Sequence, residues 1–206
     1  MKFATIEEAI KDIQRGRFVI MVDDEDRENE GDIVIAAEKI TPQRLNWMIK
    51  NARGILCVPV DGKRLDELQI PLMVKNSNDR FNTPFTVSVD AKKETTTGVS
   101  VSDRIATIKK LIDKNAKPDD FAKPGHVFPL RSKENGVLER PGHTEAAVDL
   151  MKLADLYPAA VIAEIMKDDG EMAKLEELME FAEKHEIKIL TIKDLARFKK
   201  KSNSGH

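Results

Sequence analysis

Residues 23–32 constrain the fold of this chain more than any other stretch, because they carry seven carboxylates in ten positions. Apolar runs at residues 18–22 and 33–37 precede and follow them. Both runs are rich in valine and isoleucine, which predicts short buried strands. The acids therefore lie in a connection between two core elements, where crowded like charges are unfavourable unless solvent or a cation offsets them.

Three of these acids, Glu28, Glu30 and Asp32, are spaced by two residues. If the second strand begins early, their side chains leave the backbone on the same face. Oxygen ligands that converge on one face suit a hard divalent cation such as Mg2+. Acidic runs are often solvated loops, and a solvated loop remains the alternative interpretation.

Composition narrows the class of protein. The 206 residues suffice for one domain with a sizeable core. A net charge of −2 and 5% aromatic residues oppose binding to nucleic acid. Cys57 is the only cysteine, which excludes a disulfide framework and suits a reducing compartment. The acidic N-terminal residues are unlike a signal peptide, and no run approaches the roughly 20 apolar residues of a membrane span. We expect a cytoplasmic protein that binds neither membranes nor nucleic acid.

Apolar periodicity and turn signals predict intermixed helices and strands. Thr5 and Glu8 predict a capping box, Asp61-Gly62 a turn, and Ser102 a helix cap. The predicted helices are 6–14, one starting at 42, 103–113, 144–154, 171–185 and a short one after 191; the predicted strands are 18–22, 33–37, 55–60, 85–90, 125–130, 159–166 and 187–190. This pattern favours the α/β (α+β) class: a single layered domain, residues 1–198, with a mixed β-sheet covered by helices. Residues 199–206 are expected to form a flexible basic tail.

A second group of functional residues opens the helix predicted at 144–154, in the segment Arg140-Pro141-Gly142-His143-Thr144-Glu145. A helix N-terminus favours anions, Gly142 permits close approach to the backbone, and Arg140 is a forked donor suited to phosphate. His143 can share a metal with a carboxylate. An ordinary helix cap with a surface arginine and a structural histidine is the alternative. Together with the acidic stretch, the segment predicts a site for a phosphorylated sugar.

Four segments, taken together, resemble the 3,4-dihydroxy-2-butanone 4-phosphate synthase family over essentially the whole chain. They are Asp26-Arg27-Glu28-Asn29-Glu30-Gly31-Asp32, Thr97-Gly98-Val99-Ser100 with Asp103-Arg104, residues 124–131, and Arg140-Pro141-Gly142-His143-Thr144-Glu145-Ala146. The resemblance implies a layered α/β fold and a riboflavin-biosynthesis lyase that converts D-ribulose 5-phosphate to 3,4-dihydroxy-2-butanone 4-phosphate and formate. It also implies Mg2+, for which Mn2+ can serve, with two ions expected per site, and a homodimer with active sites at the interface.

The resemblance assigns roles to individual residues. Glu28 and His143 match the metal ligands, while Arg27 and Asp32 match substrate contacts. The phosphate cradle corresponds to Arg140, Pro141, Gly142, His143 and Thr144.

The remaining matches are to groups that handle protons or lie beside the site. Glu164 matches an essential acid/base carboxylate that also contacts substrate, and His126 matches a histidine supplied by the partner subunit. Cys57 matches a cysteine near the site and is a candidate catalytic residue, although a small buried core residue is an equal interpretation. Asp32, or another acid of residues 23–32, is the candidate for removing the first proton from C3 of the substrate, which yields an enediol.

Two other classes of function remain as alternatives. A metal-dependent sugar-phosphate isomerase or aldolase needs the same phosphate clamp and enediol chemistry. A non-enzymatic protein would bind a phosphorylated metabolite as a regulator, or nucleic acid weakly through the basic residues 199–201. Formate release distinguishes the synthase from all of these.

Overall fold

A mixed seven-stranded sheet is the middle layer of the computed structural model, which describes residues 2–203. Its strands are β1 Val19–Val22, β2 Gly31–Ala36, β3 Cys57–Asp61, β4 Val89–Ala91, β5 Phe121–Ser132, β6 Ala160–Glu164 and β7 Lys188–Thr191. They lie in the order β4-β5-β3-β6-β2-β1-β7. The β1–β7 and β3–β5 pairs are parallel and the other neighbours are antiparallel. The predicted fold class is confirmed.

Helices cover both faces of this sheet. They are α1 Ile6–Gln14, α2 Pro42–Ala52, α3 Gly62–Glu67, α4 Val101–Ile112, α5 His143–Leu153, α6 Leu175–Lys184 and α7 Ile192–Asn203, and short 3-10 turns occupy Ala37–Lys39, Pro118–Asp120 and Gly136–Leu138. None of the helices formed by residues 2–203 has the length and apolar composition of a transmembrane span.

Side-chain alternation along the strands divides the core in two. In β1, Ile20 packs on the face covered by α2, α3, α4 and α6, whereas Val19 and Met21 pack on the face covered by α1, α5 and α7. The central strands are buried on both faces, which explains their near-continuous apolar sequence. The consequence for function is that polar groups which line a site must come from strand ends and connections.

Local signals located most helix starts, with two corrections. The capping box of Thr5 and Glu8 is confirmed. The cap of α4 is Ser100, whose hydroxyl accepts from the N–H of Asp103 at 3.1 Å, so the prediction of Ser102 was wrong by two residues. The predicted turn at Asp61-Gly62 is the start of α3, because the Asp61 carboxylate accepts from the N–H of Lys63 and caps the helix.

Three further elements differ from the prediction by more than small shifts at their ends. The helix predicted over 171–185 begins only at Leu175, because Met172 and Ala173 bond to the chain after β6 instead. The strand predicted over 85–90 is reduced to β4, since Phe85 and Thr86 form isolated bridges. The strand predicted over 125–130 extends at both ends into β5, which pairs with β3 on one side and β4 on the other.

The C-terminal segment corrects the predicted tail. Helix α7 continues to Asn203, so residues 199–203 are helical, and only 204–206 of the predicted tail lie outside the described residues. The reason is a partly buried ion pair: Lys199 Nζ lies 2.7 and 2.8 Å from the two carboxylate oxygens of Asp149. The Asp149 side chain is 3% exposed and also accepts from the N–H of Val137.

Replacing Lys199 with methionine should therefore destabilise the protein by about 2–4 kcal/mol, because it leaves the buried Asp149 carboxylate without its cation. Chemical denaturation measures the loss. Lys201→Met is the matched control, since Lys201 is exposed on the same helix and its replacement should change stability by less than about 0.5 kcal/mol. Equal stability of the two variants would contradict the assigned role of the Lys199–Asp149 pair.

Candidate active site

One buried acid organises the connection between β1 and β2. Asp23 accepts hydrogen bonds from Arg27 Nη1 at 2.9 Å and from the backbone N–H groups of Glu28 at 3.0 Å and Glu30 at 2.9 Å. Its side chain is 1% exposed. These three donors offset the repulsion expected in this acidic stretch and fix the position of Glu28. The solvated-loop interpretation therefore holds only for residues 24–26, which are exposed, whereas the buried side chain of Asp23 ties the rest of the connection together.

The acidic loop and the start of α5 meet, as the sequence predicted. Nδ1 of His143 lies 3.3 Å from Oε2 of Glu28, although 114 residues separate them in the chain. The same Glu28 oxygen lies 2.8 Å from Nη1 of Arg27. On its other side, Nε2 of His143 lies 3.9 Å from Oδ1 of Asp32. The imidazole thus lies between two carboxylates.

The surroundings of Glu28 and His143 shift the pKa values of these two groups in opposite directions. Burial alone would raise the pKa of Glu28, but the hydrogen bond to His143 and the charge of Arg27 outweigh it and lower the pKa to about 2. Burial lowers the pKa of His143, yet the charge of Asp32 and the bond to Glu28 raise it to about 9. Glu28 is therefore ionised at neutral pH.

Asp32 lies beside a further carboxylate on the neighbouring strand. It is the direct antiparallel partner of Glu164, with Asp32 near the start of β2 and Glu164 at the end of β6. Burial and the neighbouring charges of Glu164, Glu28 and Glu30 raise the pKa of Asp32 to about 7, against the opposing effect of His143. Asp32 can therefore hold or release a proton near neutral pH.

Glu164 is held against the chain that leads into β3. Its Oε2 accepts from the N–H of Ile55 at 2.8 Å. A Cβ on Gly54 would meet that same oxygen and would lie 2.5 Å from the backbone oxygen of Glu164. Only glycine permits this close approach, which fixes the Glu164 carboxylate beside Asp32.

The donor set fits a hard divalent cation. Ligand atoms of Asp23, Glu28 and His143 lie within 4.8 Å of one another. Within residues 2–203, the buried atoms Asp32 Oδ1 and His143 Nε2 have no hydrogen-bond partner. Buried polar atoms without partners are costly, so a bound ion would satisfy them. Several carboxylate oxygens with one imidazole nitrogen are ligands of the kind that suits Mg2+ or Mn2+.

Two arginines converge at the N-terminus of α5. A Cβ built on Gly142, the N-cap, would meet Nη1 of Arg140 and lie 2.9 Å from Nη2 of Arg27. Thr144 follows in the first turn and is buried, whereas Pro141 precedes the helix and is exposed. Free backbone N–H groups and two guanidinium groups at one point form a site for an anion such as phosphate.

These groups share one cavity of about 220 Å³. It is lined by Arg27, Glu28, Glu30, Asp32, Cys57, Phe81, Thr83, Phe85, Leu130, Arg140, His143, Thr144, Ile162 and Glu164. The cavity has carboxylates and an imidazole together with the arginines of the anion site. Its size and lining suit a small phosphorylated molecule.

Cys57 lines the cavity from the core side. It is 2% exposed and packs among the apolar residues between the sheet and α5. Burial, with the charges of Glu164 and Asp32, raises the pKa of its thiol far above the ordinary range. A protonated thiol is a poor nucleophile, which favours a role in shaping the cavity, and the catalytic role of Cys57 stays a prediction.

Three predicted site residues do not line the cavity: Pro141 and Gly142, which lie at the N-terminus of α5, and His126. His126 lies on β5, where Nδ1 is 2.7 Å from Oδ2 of Asp90 and the backbone N–H donates to the other oxygen of Asp90. Its side chain is 47% exposed. The expectation that His126 acts in the site of a partner subunit stays a prediction.

The sequence analysis included Asp23 in the acidic stretch without its organising role, and it missed the aromatic side of the cavity. Phe81 and Thr83 come from residues 71–84, where the sequence predicted no helix or strand. The ring centroid of Phe81 lies 5.5 Å from Cζ of Arg27, within the range of a cation–π contact. No local pattern separates these residues from an ordinary loop, so their role emerges only from tertiary contacts.

Comparison with known proteins places this geometry in a family. The family model described as 3,4-dihydroxy-2-butanone 4-phosphate synthase matches residues 7–198. A protein of that name from Agrobacterium fabrum is 53% identical over 200 residues, which cover 97% of this chain and 94% of the relative. The riboflavin biosynthesis protein RibBA of Aquifex aeolicus is 56% identical over 96% of this chain and 49% of its own length. The chain thus spans about half the length of the RibBA relatives it matches.

Solved structures agree with the sequence comparison. A crystal structure of 3,4-dihydroxy-2-butanone 4-phosphate synthase in complex with two magnesium ions superimposes with a TM-score of 0.92. The identity is 38%, and the match covers 98% of this chain and 99% of that one. The two-domain synthase RibBX from A. baumannii gives a TM-score of 0.89 at 47% identity, over 93% of this chain and 56% of that chain.

Proposed function

This chain belongs to the 3,4-dihydroxy-2-butanone 4-phosphate synthase family, and from that premise we propose that it converts D-ribulose 5-phosphate to 3,4-dihydroxy-2-butanone 4-phosphate and formate with Mg2+. The observation that carries the proposal is the meeting of Glu28 and His143 at 3.3 Å beside the Arg140–Gly142 anion site. The two ends of one cavity match the two ends of the substrate, its hydroxyketone and its phosphate.

Glu28 and His143 would hold the metal, with Asp23 and Asp32 close enough to contribute. The ion, when bound, would supply Lewis-acid polarisation of the substrate ketone. Mg2+ is the expected ion, Mn2+ is a substitute, and a relative with two magnesium ions supports two ions per site. The low pKa of Glu28 keeps its carboxylate charged, as a ligand must be.

Arg140, Arg27 and the first turn of α5 would bind the substrate phosphate. Thr144 adds a hydroxyl at the same place, and the backbone from Pro141 to His143 closes the cradle. This anchor positions the carbon chain along the cavity toward Asp32 and Glu164, so that the reacting carbons lie among carboxylates.

Asp32 is our candidate for the group that removes the C3 proton. Its raised pKa makes it a stronger base than an ordinary carboxylate, although other acids of the loop remain candidates. The product of that step is an enediol. Loss of the C1 hydroxyl as water and migration within the carbon skeleton follow. A water molecule then adds to the C4 carbonyl, and C4 leaves as formate, with Glu164 transferring protons in these later steps.

His126 would assist those later steps in a second subunit. A homodimer with interface active sites brings it to the cavity of its partner. The exposed side chain of His126, held by Asp90 at 2.7 Å, supports this proposal, because the imidazole is accessible to a second chain.

Formate release tests the proposal. We expect the purified chain to release one formate per D-ribulose 5-phosphate consumed when Mg2+ is present, and none after chelation. Added Mg2+ or Mn2+ should restore release, which excludes denaturation by the chelator. A sugar-phosphate isomerase would consume substrate without formate, and a regulator would bind it without consuming it; either result would overturn the proposal.

A further inference from the structure

The guanidinium group of Arg140 lies at the anion site, and most of its N–H donors already have partners within the chain. Its Nη1 lies 2.7 Å from Oε2 of Glu145. Its Nε and Nη2 both donate to the backbone oxygen of Phe81, at 3.3 and 3.0 Å. A guanidinium has five N–H donors in one plane, and contacts on two sides fix the orientation of that plane.

Glu145 holds Arg140 from a position outside the cavity. It lies in the first turn of α5, its side chain is 0% exposed, and it is absent from the cavity lining. Its other oxygen lies 3.3 Å from the N–H of Lys133. A buried carboxylate needs a paired cation, and here that cation is Arg140.

The ion pair between Glu145 and Arg140 also offsets the repulsion between Arg140 and Arg27. The guanidinium groups of Arg27 and Arg140 both approach the position that a Cβ on Gly142 would occupy. Arg27 is balanced by Asp23 and Glu28, at 2.9 and 2.8 Å. Glu145 is the corresponding partner of Arg140. Without it, repulsion between the two cations would favour a displaced Arg140.

We propose that Glu145 is a positioning residue for phosphate binding: it holds Arg140 so that Nη1 faces the first turn of α5, and it does so without touching the substrate. The inference rests on the proposed function, because it takes the Arg140 site to be the phosphate end of the cavity. Loss of Glu145 should weaken substrate binding and leave the chemical step largely unchanged.

The same helix offers a matched control. Asp149 is a second buried acid, one turn after Glu145, and it is 2% exposed. It bonds to Lys199 and Val137 and contacts no residue of the cavity lining through the bonds described. Asp149→Asn removes a buried charge from α5 as Glu145→Gln does, but leaves Arg140 in place.

Steady-state kinetics separates a positioning role from a structural one. For Glu145→Gln we expect the KM for D-ribulose 5-phosphate and the inhibition constant of inorganic phosphate to rise together by about 10–100-fold, with kcat within about threefold. Asp149→Asn should lower thermal stability and leave both constants unchanged. Glu145→Asp keeps the charge but shortens the reach, so it should give a smaller rise in both constants, and it serves if the glutamine variant does not fold.

A double-mutant cycle tests whether Glu145 acts through Arg140. In an Arg140→Ala background, Glu145→Gln should raise KM no further. An additional rise there, or an unchanged KM in both Glu145 variants, would overturn the inference. If the wild type releases no formate, the proposed function fails separately, and calorimetric titration with inorganic phosphate then tests the role of Glu145. Weaker phosphate binding in Glu145→Gln but not in Asp149→Asn supports the positioning role. Equal phosphate binding in Glu145→Gln and the wild type refutes it.

Discussion

Replacing Glu28 with glutamine is expected to reduce formate release by about 10³-fold or more while the protein stays folded. Glutamine keeps the size of the side chain but loses the charge that a divalent cation requires. Oε2 of Glu28 is the atom nearest to both His143 and Arg27, at 3.3 and 2.8 Å. The loss should therefore fall on metal binding, measured by calorimetric titration with Mg2+ and Mn2+, as well as on turnover.

Glu25→Gln is the matched control for this variant. It removes the same charge from the same loop, but Glu25 is exposed and does not line the active-site cavity. We expect wild-type turnover and metal affinity for it. Retained turnover in Glu28→Gln would remove Glu28 from the metal site, and an equal loss in both variants would indicate a general effect of loop charge.

Replacing Asp32 with asparagine should also reduce turnover strongly, because it removes the charge and the proton-accepting ability of the candidate base, whose buried Oδ1 has no hydrogen-bond partner. We expect a loss of at least about 10²-fold, typical of a general base. Asp26→Asn, an exposed change in the adjacent loop, should keep wild-type activity. Activity in Asp32→Asn within a few fold of wild type would assign the first proton transfer to another carboxylate.

The same variant should be more stable than the wild type in a chelator, by an amount that grows with pH. The pKa of Asp32 rises from 3.8 to about 7 on folding, so the folded state binds more protons than the unfolded state between these values. Stability contributed by Asp32 therefore falls as pH rises through this window. Between pH 4 and 6, where His143 is protonated in both states, the difference in favour of Asp32→Asn should grow by about 1–2 kcal/mol.

Chemical denaturation of both proteins at pH 4, 5 and 6 measures this difference, and the subtraction removes the titration of the other carboxylates. Asp26→Asn should give a difference that does not vary over the same range. A constant difference for Asp32→Asn would mean that Asp32 is not held in an unfavourable environment, and the argument for it as a base of raised pKa would fail.

Local sequence signals predicted the secondary structure well where they act within one or two turns. The capping box at Thr5 and the helix start predicted at residue 42 match the N-terminal boundaries of α1 and α2. The same signals failed at Ser102 and Asp61-Gly62, where two neighbouring residues can each serve as cap or turn. The prediction of a flexible tail from residue 199 failed because Lys199 is one of three consecutive lysines and looks solvated in the sequence. Its partner Asp149 lies 50 residues earlier in the chain.

The sequence predicted the chemistry of the candidate site better than it predicted the full set of residues that form the site. Glu28, Asp32, His143 and Arg140 were identified from charge, spacing and helix-start signals together with the family resemblance, and the structure brings them to one cavity. Asp23 and Glu145 were missed as contributors because a buried acid that holds an arginine has no sequence signature. Phe81 was missed because its neighbours in the chain are polar and its partners, Arg27 and Arg140, are distant.

By itself the sequence determined the layered α/β class, the acidic connection between two buried strands and the anion-binding character of the segment that opens α5. These depend on periodicity, composition and capping, which act over a few residues. Only the tertiary structure decided that His143 lies between Glu28 and Asp32. It also decided that Asp32 is the cross-strand neighbour of Glu164, and that Glu145 binds Arg140 from outside the cavity. The physical reason is that pKa values and ion pairs depend on burial and on distances of a few ångströms between remote segments, and strand order and register set those distances.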